Sequence, residues 1–137
     1  MNWTVHKIKG QSYIKVTTEG VFSSADHLKM IEDIVSRDFW MPGTNVLFDH
    51  RNLEFGETDV SIFKEASSNH EKNDRHIGDG KAAILMKSLA DFGRGRQFEL
   101  IADNKISAKL HIFLREKEAI KWLTSEKKSA AKTRKIF

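Results

Sequence analysis

The sequence predicts a single α/β domain in which strands alternate with helices, in the order β-β-α-β-α-β-α-β-α. Three observations carry that prediction. Residues 12–19 alternate, with Ile14, Val16 and Thr18 on one face and Tyr13, Lys15 and Thr17 on the other, as a half-buried strand does. Val46-Leu47-Phe48 and Ala82-Ala83-Ile84-Leu85-Met86 are short unbroken apolar runs, the pattern of strands covered on both faces. Between them lie stretches with apolar residues at helical spacing, the crossovers that parallel strands need. The sheet is therefore mixed and mostly parallel, with antiparallel pairing confined to an opening hairpin.

Residues 2–9 and 12–19 read as the two hairpin strands, joined at Gly10-Gln11, and Lys7 and Lys9 suit the first to an exposed edge. Gly20 closes the hairpin. Ser23 and Ser24 are natural N-caps, with Asp26 and His27 in the turn that follows. Leu28, Ile31, Ile34 and Val35 make residues 24–38 an amphipathic helix. Met41-Pro42-Gly43, holding the only proline, is a turn, and the strand after it ends at Asp49. Thr58 caps a second helix with Val60, Phe63 and Ala66 as its stripe, which gives way to a polar run over 67–76. Gly78-Asp79-Gly80 turns the chain into the next strand. A third helix begins near Asp91 with Phe92, Phe98, Ile101 and Ala102 as its apolar positions. Leu110, Ile112 and Leu114 form the last strand, and a closing helix carries Ala119, Ile120, Trp122 and Leu123.

A chain of 137 residues fits one domain and can bury a core without a staple. Cysteine is absent, which excludes disulfides, thiolate catalysis and cysteine-ligated metals together. No run approaches the roughly 18 apolar residues of a membrane span, and the N-terminus has no apolar signal region. The formal charge of +4 is a local effect. Lys127, Lys128, Lys132, Arg134 and Lys135 lie in a stretch without acids, and the other 18 basic residues face 19 acidic ones. Residues 1–125 thus read as the domain and 126–137 as a basic, solvated tail, which makes nucleic acid a poor candidate partner.

Three stretches carry a resemblance. Gly20 precedes the helix start Ser23-Ser24-Ala25-Asp26. Phe92-Gly93-Arg94-Gly95-Arg96 follows an aromatic-glycine-x-x-arginine pattern, with Gly93 and Arg96 in the matching places. Ile112-Phe113 is followed by Glu118-Ala119-Ile120-Lys121-Trp122-Leu123. Together they resemble the SpoIIAA-like, STAS-type domains, in particular their uncharacterised bacterial branch, over about residues 3–124. The resemblance implies helices packed against a mixed sheet, and protein–protein regulation or small-ligand sensing in place of catalysis. Its best-known members carry a phosphorylatable serine just past an aspartate at the end of the middle strand. Here Asp49 is followed by His50-Arg51-Asn52-Leu53-Glu54-Phe55-Gly56-Glu57, with no serine. Thr58 is the nearest hydroxyl and the candidate phosphosite, as well as the helix cap.

Two clusters of charge are candidate ligand sites. Asp49 and Arg51 follow a buried strand, and ligands gather at the carboxyl ends of strands in open α/β sheets; the plainer account makes Asp49 a turn former. Arg94 and Arg96 sit at a helix entrance between glycines, where an anion is favoured; the plainer account sends them to solvent or to surface carboxylates. The six histidines, at 6, 27, 50, 70, 76 and 111, show no ligand spacing, so no metal is expected unless one is assembled in three dimensions. Phe113 and Trp122 read as core. The expectation is a non-enzymatic STAS-like binding or regulatory module for a protein partner or a small, partly apolar or anionic ligand, cytoplasmic, without cofactor, and open to homodimerisation. The alternative is an enzyme of unrecognised type with its site at the strand ends near Asp49 and Arg96.

Overall fold

The computed structural model describes residues 1–57 and 59–125; Thr58 and the basic stretch 126–137 lie outside them. Five strands form one sheet in the order β1 (Asn2–Lys7), β2 (Tyr13–Val21), β3 (Asn45–Glu54), β4 (Lys81–Leu85), β5 (Lys109–Phe113). β1 pairs antiparallel with β2, and every later pairing is parallel, as the helical crossovers require. Among the described residues five helices accompany the sheet: α1 (Ser24–Val35), α2 (Val60–Lys72), the single turn α3 (Asp74–Ile77), α4 (Leu89–Ala102) and α5 (Glu116–Thr124). No helix among the described residues is long and apolar enough to cross a membrane.

Strand alternation sorts side chains onto two unequal faces. On one, Ile14 and Val16 of β2, Val46 and Phe48 of β3, and Ala82 and Ile84 of β4 pack with Met30 and Ile34 of α1, Phe63 and Ala66 of α2, and Phe98 and Ala102 of α4. On the other, Tyr13, Leu47, Ala83 and Leu85 pack against Ala119 and Leu123 of α5. Three helices thus cover one face and a single helix the other. α4 comes close enough to the sheet that a Cβ on Gly95 would sit 3.0–3.2 Å from the side chain of Ile112.

The structure departs from the sequence expectation at the ends of β2 and β3, in the polar run over 67–76 and at the cap of α2. β2 runs past Gly20 to Val21, and β3 past Asp49 to Glu54. A register shift at Thr18 lets pairing resume at Glu19 with Asn52, Gly20 with Leu53 and Val21 with Glu54. The polar run over 67–76 is not a loop: α2 continues to Lys72 and α3 follows. Finally, Asp59 is the N-cap of α2, its carboxylate accepting from the amides of Ser61 at 2.9 Å and Ile62 at 3.4 Å. The capping role expected of Thr58 belongs to its neighbour.

Candidate functional site

Between the sheet and α1, α2 and α4 lies a cavity with about 40 Å³ of free space. Its wall is mostly aromatic and aliphatic, but three histidines interrupt it: His27 from α1, His50 from β3 and His70 from α2. All three are buried, at 6%, 8% and 6% exposure. The rings of His27 and His70 lie 5.1 Å apart, and Phe98 packs on both. His50 contacts Phe48 and Phe55, and Phe22 stacks on Phe55 at 5.7 Å.

Each ring is set differently. Nδ1 of His50 lies 2.7 Å from Oγ1 of Thr18, which also lies within donating distance, 3.2 Å, of the Asp49 carbonyl. Nδ1 of His27 lies 3.2 Å from the amide nitrogen of Asn69, and that nitrogen also donates to the carbonyl of Ser24 at 2.9 Å. Nδ1 of His70 is buried and has no hydrogen-bond partner among the described residues. Burial dominates the electrostatics. It pushes the His50 and His70 imidazoles down to about 4, against smaller opposing pulls from Asp49 and Asp74 respectively. It lowers His27 well below its ordinary range, helped by repulsion from the two other histidines. Near neutral pH the three rings are therefore uncharged. Among the described residues no group of three or more histidines and acids is arranged to hold a metal ion.

The charged candidates lie elsewhere. Asp49 neighbours His50 in sequence but, by the alternation of β3, faces the α5 side. Arg51 holds its carboxylate through Nε at 2.9 Å and Nη2 at 2.8 Å, and this pairing keeps Asp49 below the usual carboxylate range. Glu116, in the first turn of α5, joins Arg51 at 3.1 Å and Lys15 at 3.2 Å, so four charges form one network beside α5. Arg94 and Arg96 lie within α4 and pair one turn along or back, Arg94 with Asp91 at 2.9 Å and Arg96 with Glu99 at 3.2 Å. The structure does bring Arg51 and Arg94 to a common place. With Lys87 they border an outer cleft of about 360 Å³, of which Phe55 is also a wall; Asp49 and Arg96 do not line it.

Sequence reasoning singled out His50 beside Asp49 but did not bring the three cavity histidines together. Their separations of 23 and 20 positions match no ligand motif, and only the packing of α1, β3 and α2 on one sheet face brings them together. One signal was present: His50 and His70 both fall on the inward phase of their elements once those elements are drawn at full length.

No family model matches the sequence, and no curated protein matches it significantly. Among solved structures, the fold is similar to that of an uncharacterised protein of the DUF3478 family with a SpoIIAA-like fold, from Shewanella loihica PV-4. The TM-score is 0.58 at 14% sequence identity, covering 89% of this chain and 92% of that one. An identity this low speaks to architecture alone, and the architecture agrees with the expectation drawn from Gly20, the Phe92–Phe98 stretch and the closing helix. This chain has a SpoIIAA-like fold.

Proposed function

We propose that this protein is a non-enzymatic, STAS-like binding module that takes a small, largely apolar ligand in the cavity beneath α1, α2 and α4. The observation that carries this reading is the buried, unpartnered Nδ1 of His70, a residue that lines a mostly apolar cavity. An unpaired buried polar atom costs about 1–3 kcal/mol, and a core serving stability alone is better filled by an apolar side chain at that position. The other two histidines strengthen it, since apolar pockets with a few convergent polar groups are the usual form of small-ligand sites. The wall offers no hydroxyl, thiol, amine or carboxylate to act as nucleophile or to be partnered as an acid–base pair. Thr18, although hydrogen-bonded to His50, does not line the cavity, which favours binding over catalysis.

The space present suits a few water-sized groups, whereas a cavity of about 150 Å³ is known to admit benzene. A ring-sized ligand therefore requires the wall to give way. Met30 and Met86 are its unbranched, adaptable members, and Phe22 is only half-buried. The test is a thermal-unfolding series with phenol as probe. A rise in Tm with phenol concentration, abolished by filling the cavity through Gly95→Leu, is expected; no rise at any soluble concentration overturns the reading.

A second reading rests on the outer cleft, where Arg51, Lys87 and Arg94 converge. It makes Arg51 and Arg94 ligands for an anionic group, with Phe55 linking cleft and cavity. Each arginine already has a carboxylate partner, so the anion must compete with Asp49, Glu116 or Asp91. Inorganic phosphate titrated against the Arg94→Gln variant tests it, the variant losing whatever binding the native protein shows.

A further inference from the structure

Resting on the cavity reading above, we infer that the part of the ligand inside the cavity is uncharged and carries a hydroxyl-type group, held between Nε2 of His27 and Nε2 of His50. The cavity wall contains no lysine, arginine, aspartate or glutamate, so neither sign of charge finds a counter-ion there. Both rings line the cavity, while the residues that engage their Nδ1 atoms, Asn69 and Thr18, do not. The Nε2 side of each ring is thereby the side presented to a ligand.

The neighbours also decide which nitrogen carries the proton. The Ser24 carbonyl can only accept, and it lies 2.9 Å from the side-chain nitrogen of Asn69. Turning the amide over would set its oxygen against that carbonyl, so the orientation is fixed with the NH2 group toward Ser24 and His27. The second amide proton lies between Oγ of Ser24, 3.3 Å away, and Nδ1 of His27, 3.2 Å away; facing an NH2 group that can only donate, Nδ1 is the bare nitrogen. In a neutral ring the remaining proton is on Nε2, and His27 offers the cavity a donor. His50 is set the opposite way. We assign the single hydroxyl proton of Thr18 to the Asp49 carbonyl, 3.2 Å away, so that its oxygen accepts from Nδ1–H of His50 at 2.7 Å. His50 presents a bare Nε2, an acceptor. A donor and an acceptor on one apolar wall suit a group that both accepts and donates, as a phenol or alcohol hydroxyl does. Buried, neutral imidazoles are consistent with this.

Phenol, benzene and benzoate, matched in ring size, are the probes, with Kd measured near neutral pH by NMR titration. Ring nitrogen shifts of the unliganded protein are recorded alongside. The expected results are phenol binding at least about tenfold tighter than benzene, the worth of one net hydrogen bond, no binding of benzoate, and a bare Nδ1 with protonated Nε2 at His27. In His27→Phe, phenol loses its advantage while benzene still binds. Benzene matching phenol, benzoate binding as tightly as phenol, or a protonated Nδ1 at His27 overturns the inference and leaves the cavity reading standing. Failure of all three rings to bind overturns the cavity reading and this inference with it.

Discussion

Nδ1 of His50 on β3 lies 2.7 Å from Oγ1 of Thr18 on β2, and both side chains are buried at the register shift between the two strands. The bond is local in space and distant in sequence, and it orients one of the three cavity histidines. Thr18→Val keeps the shape and removes the hydroxyl, leaving Nδ1 of His50 and the Asp49 carbonyl without that partner. A loss of about 1–3 kcal/mol in urea denaturation is expected. Thr18→Ser restores most of it. Equal stability of Val and native forms contradicts this role.

The buried histidines also set the acid response. In the unfolded chain an imidazole takes up its proton near the ordinary value of 6.5, whereas folded His50 and His70 do so only at about 4. Between those values the unfolded state binds more protons, so stability is complete above about pH 6.5 and declines as pH falls toward 4. Each of the two removes about 3 kcal/mol by the bottom of that window, and His27 acts in the same direction. Urea midpoints measured across the window should fall steadily. In His70→Phe the decline should be shallower, and a midpoint indifferent to pH refutes the neutral, buried state.

Two glycines two positions apart on α4 behave oppositely. A Cβ on Gly93 meets nothing within 4 Å, and the residue is exposed. Gly93→Ala should stabilise by about 0.5–1 kcal/mol, through helix propensity alone. Gly95 is buried, lines the cavity and abuts Ile112. Gly95→Leu should destabilise by about 1–3 kcal/mol, as overpacking does. Thermal unfolding of the two variants gives the comparison, and equal shifts contradict the close approach of α4 to the sheet.

The Lys15–Asp49–Arg51–Glu116 network is large but half-exposed, with Arg51 at 41% and Glu116 at 34% side-chain exposure. Such pairs contribute about 0–1 kcal/mol. Glu116→Gln should cost less than about 1 kcal/mol in urea denaturation at moderate salt, because Asp49 retains Arg51. A larger loss assigns the network the anchoring of α5 that apolar contacts of Ala119 and Leu123 otherwise explain.

The order of elements was legible because each signal is local: alternation in β2, the unbroken apolar runs of β3 and β4, and the stripes of α1 and α5. What stayed illegible depends on polar residues that pair after folding. Ser67, Asn69 and His70 make the end of α2 look like a loop, yet they are buried, and Asn69 is bonded to Ser24 of α1. Asp49 and His50 look like a strand end because hydropathy drops there, although the Thr18 bulge carries the pairing on to Glu54. Arg51 and Arg94 were visible as isolated charges, and their shared cleft follows only from the parallel order of β3 and β4. The cavity is invisible for the same reason. Its polar members come from three elements, and none carries a motif.

Methionine methyl NMR during a phenol titration bears most directly on the cavity reading, because two of the four methionines, Met30 and Met86, line the cavity and Met41 is 70% exposed. The account predicts saturable shifts of the Met30 and Met86 methyls together, with Met41 unmoved and the shifts absent in Gly95→Leu. Shifts confined to Met41, or no saturable change at Met30 and Met86, contradict it.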